Sequence, residues 1–140
     1  MNPEVRKITF TGSTRVGKLL MKMSSETVKK VSLELGGNAA FVVFDDADID
    51  QAVKAAVASK FRNAGQTCVC ADRFIVHEKV EQEFINQLCT LLSSYKIGPG
   101  LNADTKIGPL ISSAAMNGVH NKVKEAISDG AECLLGGNPM

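Results

Sequence analysis

Lys7-Ile8-Thr9-Phe10-Thr11-Gly12-Ser13-Thr14-Arg15-Val16-Gly17 decides the fold class. Lys7–Thr11 alternates in polarity and is rich in β-branched and aromatic residues, which predicts a strand. Gly12 to Gly17 then turns the chain into a helix that carries Val16, Leu19, Leu20 and Met23 on one side. Further on, Val31, Leu33 and Leu35 alternate with Ser32 and Glu34, so a second strand puts Glu34 opposite the apolar three. A strand–helix–strand of this length predicts a right-handed crossover between parallel strands.

The same alternation continues past Gly36-Gly37. Ala39-Ala40-Phe41-Val42-Val43-Phe44 is continuously apolar and reads as a strand covered on both faces. Asp45, Asp46, Asp48 and Asp50 crowd the next helix start, where the dipole favours anions and Asp can cap. Ile49, Val53, Ala56, Val57 and Phe61 follow at helical spacing and run into the polar loop Arg62-Asn63-Ala64-Gly65-Gln66-Thr67-Cys68. Arg73–His77 reads as a strand, Val80 to Leu92 as an amphipathic helix, and Gly98-Pro99-Gly100 stops that pattern. Met116, Val119, Val123 and Ile127 mark a last helix capped by Gly130, and Ala131–Leu135 reads as a short strand. The class is α/β. Two strands before the glycine pair are too few for a complete nucleotide-binding sheet, so the chain reads as a piece of something larger.

Charge supports a boundary at the same place. Residues 1–36 hold seven basic and three acidic side chains, and residues 37–140 hold nine and twelve. This divides the chain into segments 1–36 and 37–140. Over the whole 140 residues the net charge is +1, which offers nucleic acid or anionic lipid no long-range pull. No run is long and apolar enough for a membrane span, and no leader opens the chain. Four cysteines, two of them in Cys68-Val69-Cys70, do not make a secreted disulfide scaffold, so a reducing, soluble compartment is expected.

Three places could carry chemistry. In Gly12-Ser13-Thr14-Arg15-Val16-Gly17-Lys18-Leu19, a glycine turn leads into a helix whose free N–H groups suit phosphate. Leu19 stands where a triphosphatase loop needs Ser or Thr, and Thr14 where the dinucleotide fingerprint needs its second glycine. Taken alone this is an ordinary strand–helix turn. Glu34, at a strand end before Gly36-Gly37, is either a solvated glutamate or a base able to take a proton from water. Cys68 lies in a polar, glycine-containing loop and is open to reactants, whereas Cys89 and Cys133 sit in apolar surroundings and read as small core hydrophobes. One-residue spacing of Cys68 and Cys70, with His77 and His120 scattered, argues against zinc.

Taken in order, Phe10-Thr11-Gly12-Ser13-Thr14 with Gly17, Leu33-Glu34-Leu35-Gly36-Gly37 and Gly65-Gln66-Thr67-Cys68 resemble the aldehyde dehydrogenase superfamily, including the separation of Glu34 from Cys68. Lys60 to Cys70 looks like the nucleophile loop of its succinate-semialdehyde branch. The resemblance implies an α/β fragment spanning the end of a Rossmann-like cofactor domain (1–36) and the first part of the catalytic domain (37–140). It implies Cys68 as the thiolate nucleophile, forming a thiohemiacetal and then a thioester, with Glu34 activating the hydrolytic water. It places Gly12, Ser13, Gly17, Leu35 and Gly36 along a bound NAD or NADP. Arg62 would clamp the substrate's distal carboxylate, bidentately as guanidinium can, its alternative being a surface ion pair. Cys70 is either a redox partner of Cys68 or a residue packed under the loop.

The same likeness implies chains about three times the usual domain length of about 150 residues. Met1 is then expected to be the edge of an incomplete chain, with little activity in isolation and exposed strand edges. A homotetramer is implied for the full-length form, located in the mitochondrial matrix of a eukaryote or the cytoplasm of a bacterium. Alternatives are a dehydrogenase for another aldehyde, or an inactive remnant of the fold.

Overall fold

The computed structural model describes residues 2–139 and divides into two compact units, Met1–Asn38 and Ala39–Met140. In the first, β1 (Lys7–Thr11) pairs in parallel with β2 (Lys30–Glu34), and α1 (Thr14–Ser25) connects them. Ser13 caps α1, its hydroxyl accepting from the Val16 N–H at 3.3 Å. The register sets Thr11 beside Glu34, and the Gly12 N–H donates to the Glu34 carbonyl at 3.0 Å. Parallel pairing through a helical crossover is what the alternation of residues 7–35 predicts.

The second unit repeats the scheme. β3 (Ala39–Val43) pairs in parallel with β4 (Ala71–Val76), joined through α2 (Ile49–Lys60) and a tight turn at Arg62–Gly65. α3 (Glu78–Ser93) and α4 (Ser113–Ser128) follow. Val43, Ile49, Val53, Ala56 and Phe84 form the core, with Phe41, Val76, Val80 and Leu88 packed around it. Phe41 and Phe74 sit side by side across the two strands, ring centroids 5.4 Å apart.

Three expectations need correction. Only one face of β3 is covered: Val43 is buried, while Val42 is 50% and Phe44 65% exposed. The helices α2 and α3 pack on one side of this two-stranded sheet, and no described element of the same unit packs on the other. Residues 131–135 form no strand, because no neighbouring strand offers a ladder; the chain instead closes α4 with Gly130. Gly130, at φ 99°, donates to the Ile127 carbonyl and Ala131 to that of Ala126, the paired bonds of a glycine-terminated helix. Without that strand Cys133 is exposed rather than a core residue, and Cys89 is half-buried on α3.

Of the four aspartates expected at this helix start it is Asp48 that caps α2, accepting from the Gln51 backbone N–H at 3.1 Å and side-chain amide at 2.9 Å. Those bonds, the backbone one first, hold its carboxyl below the usual range. A depressed folded pKa gives stability that is present above the unfolded value and lost as pH falls through the folded one. Asp48→Asn keeps a capping side chain without the charge. Acid titrations of unfolding are therefore expected to show a shallower loss of stability below about pH 4 in Asp48→Asn than in the parent. Identical acid limbs for the two proteins would exclude this contribution.

Candidate functional site

In the first unit, the glycine turn is shaped by its own neighbours. A Cβ on Gly12 would lie 2.5 Å from the tip of the Phe10 ring, and one on Gly17 would lie 2.7 Å from a Leu35 methyl. Gly17 thus lets α1 settle onto the end of β2, with Leu35 half-buried against it. Gly36 is exposed, with open space around its backbone. Glu34 ends β2 with its side chain exposed, as the alternation predicts.

The residues of this turn fit a phosphate-bearing cofactor. The first turn of α1 holds no acidic residue, and its leading N–H groups have no intrahelical partners. Ser13 accepts from Val16 through its oxygen, which leaves its hydroxyl proton free to donate. A strand, a short glycine turn and a helix N-terminus together present donors to an anion.

In the second unit, the loop leaving α2 is held at both ends. Ser59 Oγ accepts from the Ala71 N–H at 3.2 Å, and Lys60 pairs with Asp72 at 3.0 Å. Between them Cys70 is 1% exposed, its thiol donating to the Lys60 carbonyl at 3.6 Å and lying 3.9 Å from that of Arg62. Asn63 and Ala64 both take left-handed backbone, φ 51° and 55°, followed by Gly65 at 78°. For an alanine that conformation costs about 1–2 kcal/mol, and strain of this kind gathers at functional sites. Residue types alone gave little sign of this reversal, although Asn and Gly are the residues that tolerate it best.

The loop delivers Cys68 outward. The Cys70 N–H donates to the Thr67 carbonyl at 3.2 Å, closing a turn whose second residue is Cys68. Cys68 is exposed, and its N–H has no acceptor among the described residues. Thiol and free amide on one residue can attack a carbonyl and receive the resulting oxyanion. Arg62 is exposed, and among the described residues its guanidinium has no hydrogen bond or ion pair. A cavity of about 440 Å³ opens beside the loop, lined by Phe61, Ala64, Ile107, Leu110, Val119 and Val123 among others. No cluster of three or more metal-ligating side chains occurs among the described residues, and no helix is long and apolar enough to cross a membrane.

The four cysteines are all free thiols in different surroundings. Iodoacetamide on the native chain is expected to label exposed Cys68 and Cys133 first, Cys89 later and Cys70 last. Cys70 should lag by roughly tenfold or more, because it reacts only after local opening. Peptide mass spectrometry over a time course reads this order, and early labelling of Cys70 would refute its anchoring role.

The aldehyde dehydrogenase family pattern matches residues 1–140. The mitochondrial succinate-semialdehyde dehydrogenase of Oryza sativa subsp. japonica is 56% identical over 134 residues, covering 96% of this chain and 25% of the rice protein. Glutarate-semialdehyde dehydrogenase of Pseudomonas aeruginosa is 51% identical over 138 residues, covering 99% of this chain and 29% of that protein. The crystal structure of succinate-semialdehyde dehydrogenase from Burkholderia pseudomallei superposes with a TM-score of 0.97 at 52% identity, over 99% of this chain and 29% of that one. The chain spans between a quarter and three tenths of these relatives. Motif order, backbone and a match along the full 140 residues agree: the chain belongs to the aldehyde dehydrogenase family.

Proposed function

We propose that this chain supplies the nucleophile and part of the cofactor site of an NAD(P)-dependent dehydrogenase that oxidises succinate semialdehyde to succinate. The observation that carries the reading is Cys68, an exposed thiol with an unclaimed N–H at the tip of a strained, doubly anchored loop. As thiolate it adds to the aldehyde carbon, forming a C–S bond while the carbonyl electron pair moves to oxygen, beside the Cys68 N–H. The chemistry a nicotinamide dinucleotide supplies when bound is acceptance of a hydride. With that hydride gone from the adduct carbon, Cys68 carries a thioester. Glu34 takes a proton from water; the hydroxide adds to the thioester, the C–S bond breaks and the thiolate is restored.

Ser13 and the α1 N-terminus hold the pyrophosphate in this reading, with Gly12 and Gly17 allowing the turn, and Leu35 and Gly36 lie near the nicotinamide. Segment 1–36 is then the end of a cofactor domain and 37–140 the start of a catalytic one. Arg62 holds the far carboxylate of the substrate. Glutarate semialdehyde offers the same carboxylate on a longer chain and is the second substrate reading, favoured by the name of the Pseudomonas relative. With two strands of a cofactor sheet, the isolated chain is expected to be inactive, and the complete enzyme a homotetramer. The rice relative's name favours a mitochondrial setting if the source is eukaryotic; a bacterial source implies cytoplasm.

Steady-state kinetics of the complete dehydrogenase carrying this stretch test the assignment. Cys68→Ser is expected to abolish turnover. Arg62→Ala should lower kcat/KM for succinate semialdehyde about a hundredfold, the scale of a lost charge-assisted pair, and that for acetaldehyde less than about threefold. Equal losses on both aldehydes would refute the clamp.

Cys68 and Cys70 form a reversible redox pair in the same reading. Peroxide takes two electrons and two protons from the two thiols and leaves as water, and a disulfide across one residue is readily reduced. Cys70 must first leave the Lys60 carbonyl, so oxidation also loosens the loop. Under excess peroxide, inactivation is expected to be reversed by dithiothreitol more fully in the parent enzyme than in Cys70→Ala, where the Cys68 sulfenic acid has no partner thiol and passes on to the irreversible sulfinic acid. Equal recovery in both would remove the switch.

A further inference from the structure

We propose that Gln66 is the positioning residue of the Cys68 turn, acting by tethering it to the chain at Ile111; this rests on Cys68 being the nucleophile. Gln66 is half-buried and stands two residues before Cys68. Its amide is divided between two directions. Nε2 donates to the Asn63 carbonyl at 3.0 Å, inside the loop, and Oε1 accepts from the Ile111 N–H at 2.8 Å, forty-five residues away. The backbone closes the same small ring: the Gln66 N–H donates to the Asn63 carbonyl at 3.1 Å, and Asn63 Nδ2 donates to the Gln66 carbonyl at 3.2 Å.

The two arms do different work. The Asn63 arm holds the left-handed residues Asn63 and Ala64 in place. The Ile111 arm is, among the described residues, the one side-chain hydrogen bond between the Cys68 loop and the segment leading into α4. The Ile111 side chain is 88% exposed, so packing of that side chain does not fix the segment against the loop. A glutamine meets both demands, because a carboxylate cannot donate, an ammonium cannot accept and an apolar chain does neither. Anchored at Ser59, at Cys70 and at Ile111, the turn presents the Cys68 thiol in one orientation.

The test compares thiolate alkylation rates of Cys68 and Cys133, extracted from the pH profile of iodoacetamide labelling, in the 140-residue chain and three variants. Working with thiolate rates removes any change in the protonation of Cys68. Slow labelling of Cys70 and the thermal midpoint verify that each variant is folded. Gln66→Met, which removes both arms, is expected to lower the Cys68-to-Cys133 ratio about threefold or more. Gln66→Asn, one methylene too short for Ile111, should behave like Gln66→Met. Gln66→Glu keeps the acceptor for Ile111 and should hold the ratio within about twofold of the parent. A folded Gln66→Met or Gln66→Asn with the parental ratio overturns the proposal, as does a Gln66→Glu that falls as far as Gln66→Met. A parental ratio no greater than unity counts instead against Cys68 as an activated nucleophile, which separates the two failures.

Discussion

The bond from the Ala71 N–H to the Ser59 hydroxyl joins the end of α2 to the start of β4 and makes the excursion between them a closed loop. The Lys60–Asp72 pair lies one residue further on along each arm and reinforces the closure. A crossover from a helix to a parallel strand needs only a few residues, and this one takes ten, from Phe61 to Cys70. The surplus length is folded into a left-handed reversal and a turn, and Cys68 stands on that turn. The position of the thiol is therefore a consequence of how α2 is tied to β4. The core formed by Val43, Val53, Ala56 and Phe84 keeps α2 in place for that tie.

Much of this was legible in residue order. Period-two alternation gave β1 and β2, an apolar run gave β3, and helical spacing gave α1 to α4. Asp48 and Gly130 announced the ends of α2 and α4, because a capping carboxylate and a left-handed glycine act through local backbone geometry alone. The errors have the opposite character. Whether Ala131–Leu135 becomes a strand depends on a partner elsewhere, and whether Val42 and Phe44 are covered depends on a second layer. Neither is written in the segment itself. At the site, the exposure of Cys68 followed from its polar neighbours, but the reversal at Asn63-Ala64 did not, since it puts an alanine in left-handed backbone against that residue's own preference, held by hydrogen bonds between Asn63 and Gln66 that exist only in the folded loop.

The glycine turn of the first unit shows two causes acting at one place. The Phe10 ring tip and the Leu35 methyls occupy the sites a Cβ would take on Gly12 and Gly17, so a side chain there would have to turn them aside whether or not a ligand binds. The same closeness brings α1 near the strand end, where its unpaired leading N–H groups and the proton of the capping Ser13 hydroxyl remain available as donors. Intramolecular packing and anion recognition are compatible here, because the first uses the glycine Cα atoms and the second uses backbone donors. A single glycine pattern does not distinguish them.

Cys70 invites the same separation of causes. Its sulfur lies 3.6 Å from one carbonyl oxygen and 3.9 Å from another, distances suited to a thiol. A serine hydroxyl at that position has a shorter bond to Cβ and needs an acceptor near 2.8 Å, so it would fall short of both carbonyls. At 1% exposure no water would make good the difference, and an unmade buried hydrogen bond costs about 1–3 kcal/mol. An alanine would leave both carbonyls facing a small void. The geometry under the loop thus selects sulfur on packing and polarity alone. Redox chemistry between Cys70 and Cys68, where it occurs, uses a thiol that the architecture of the loop already requires.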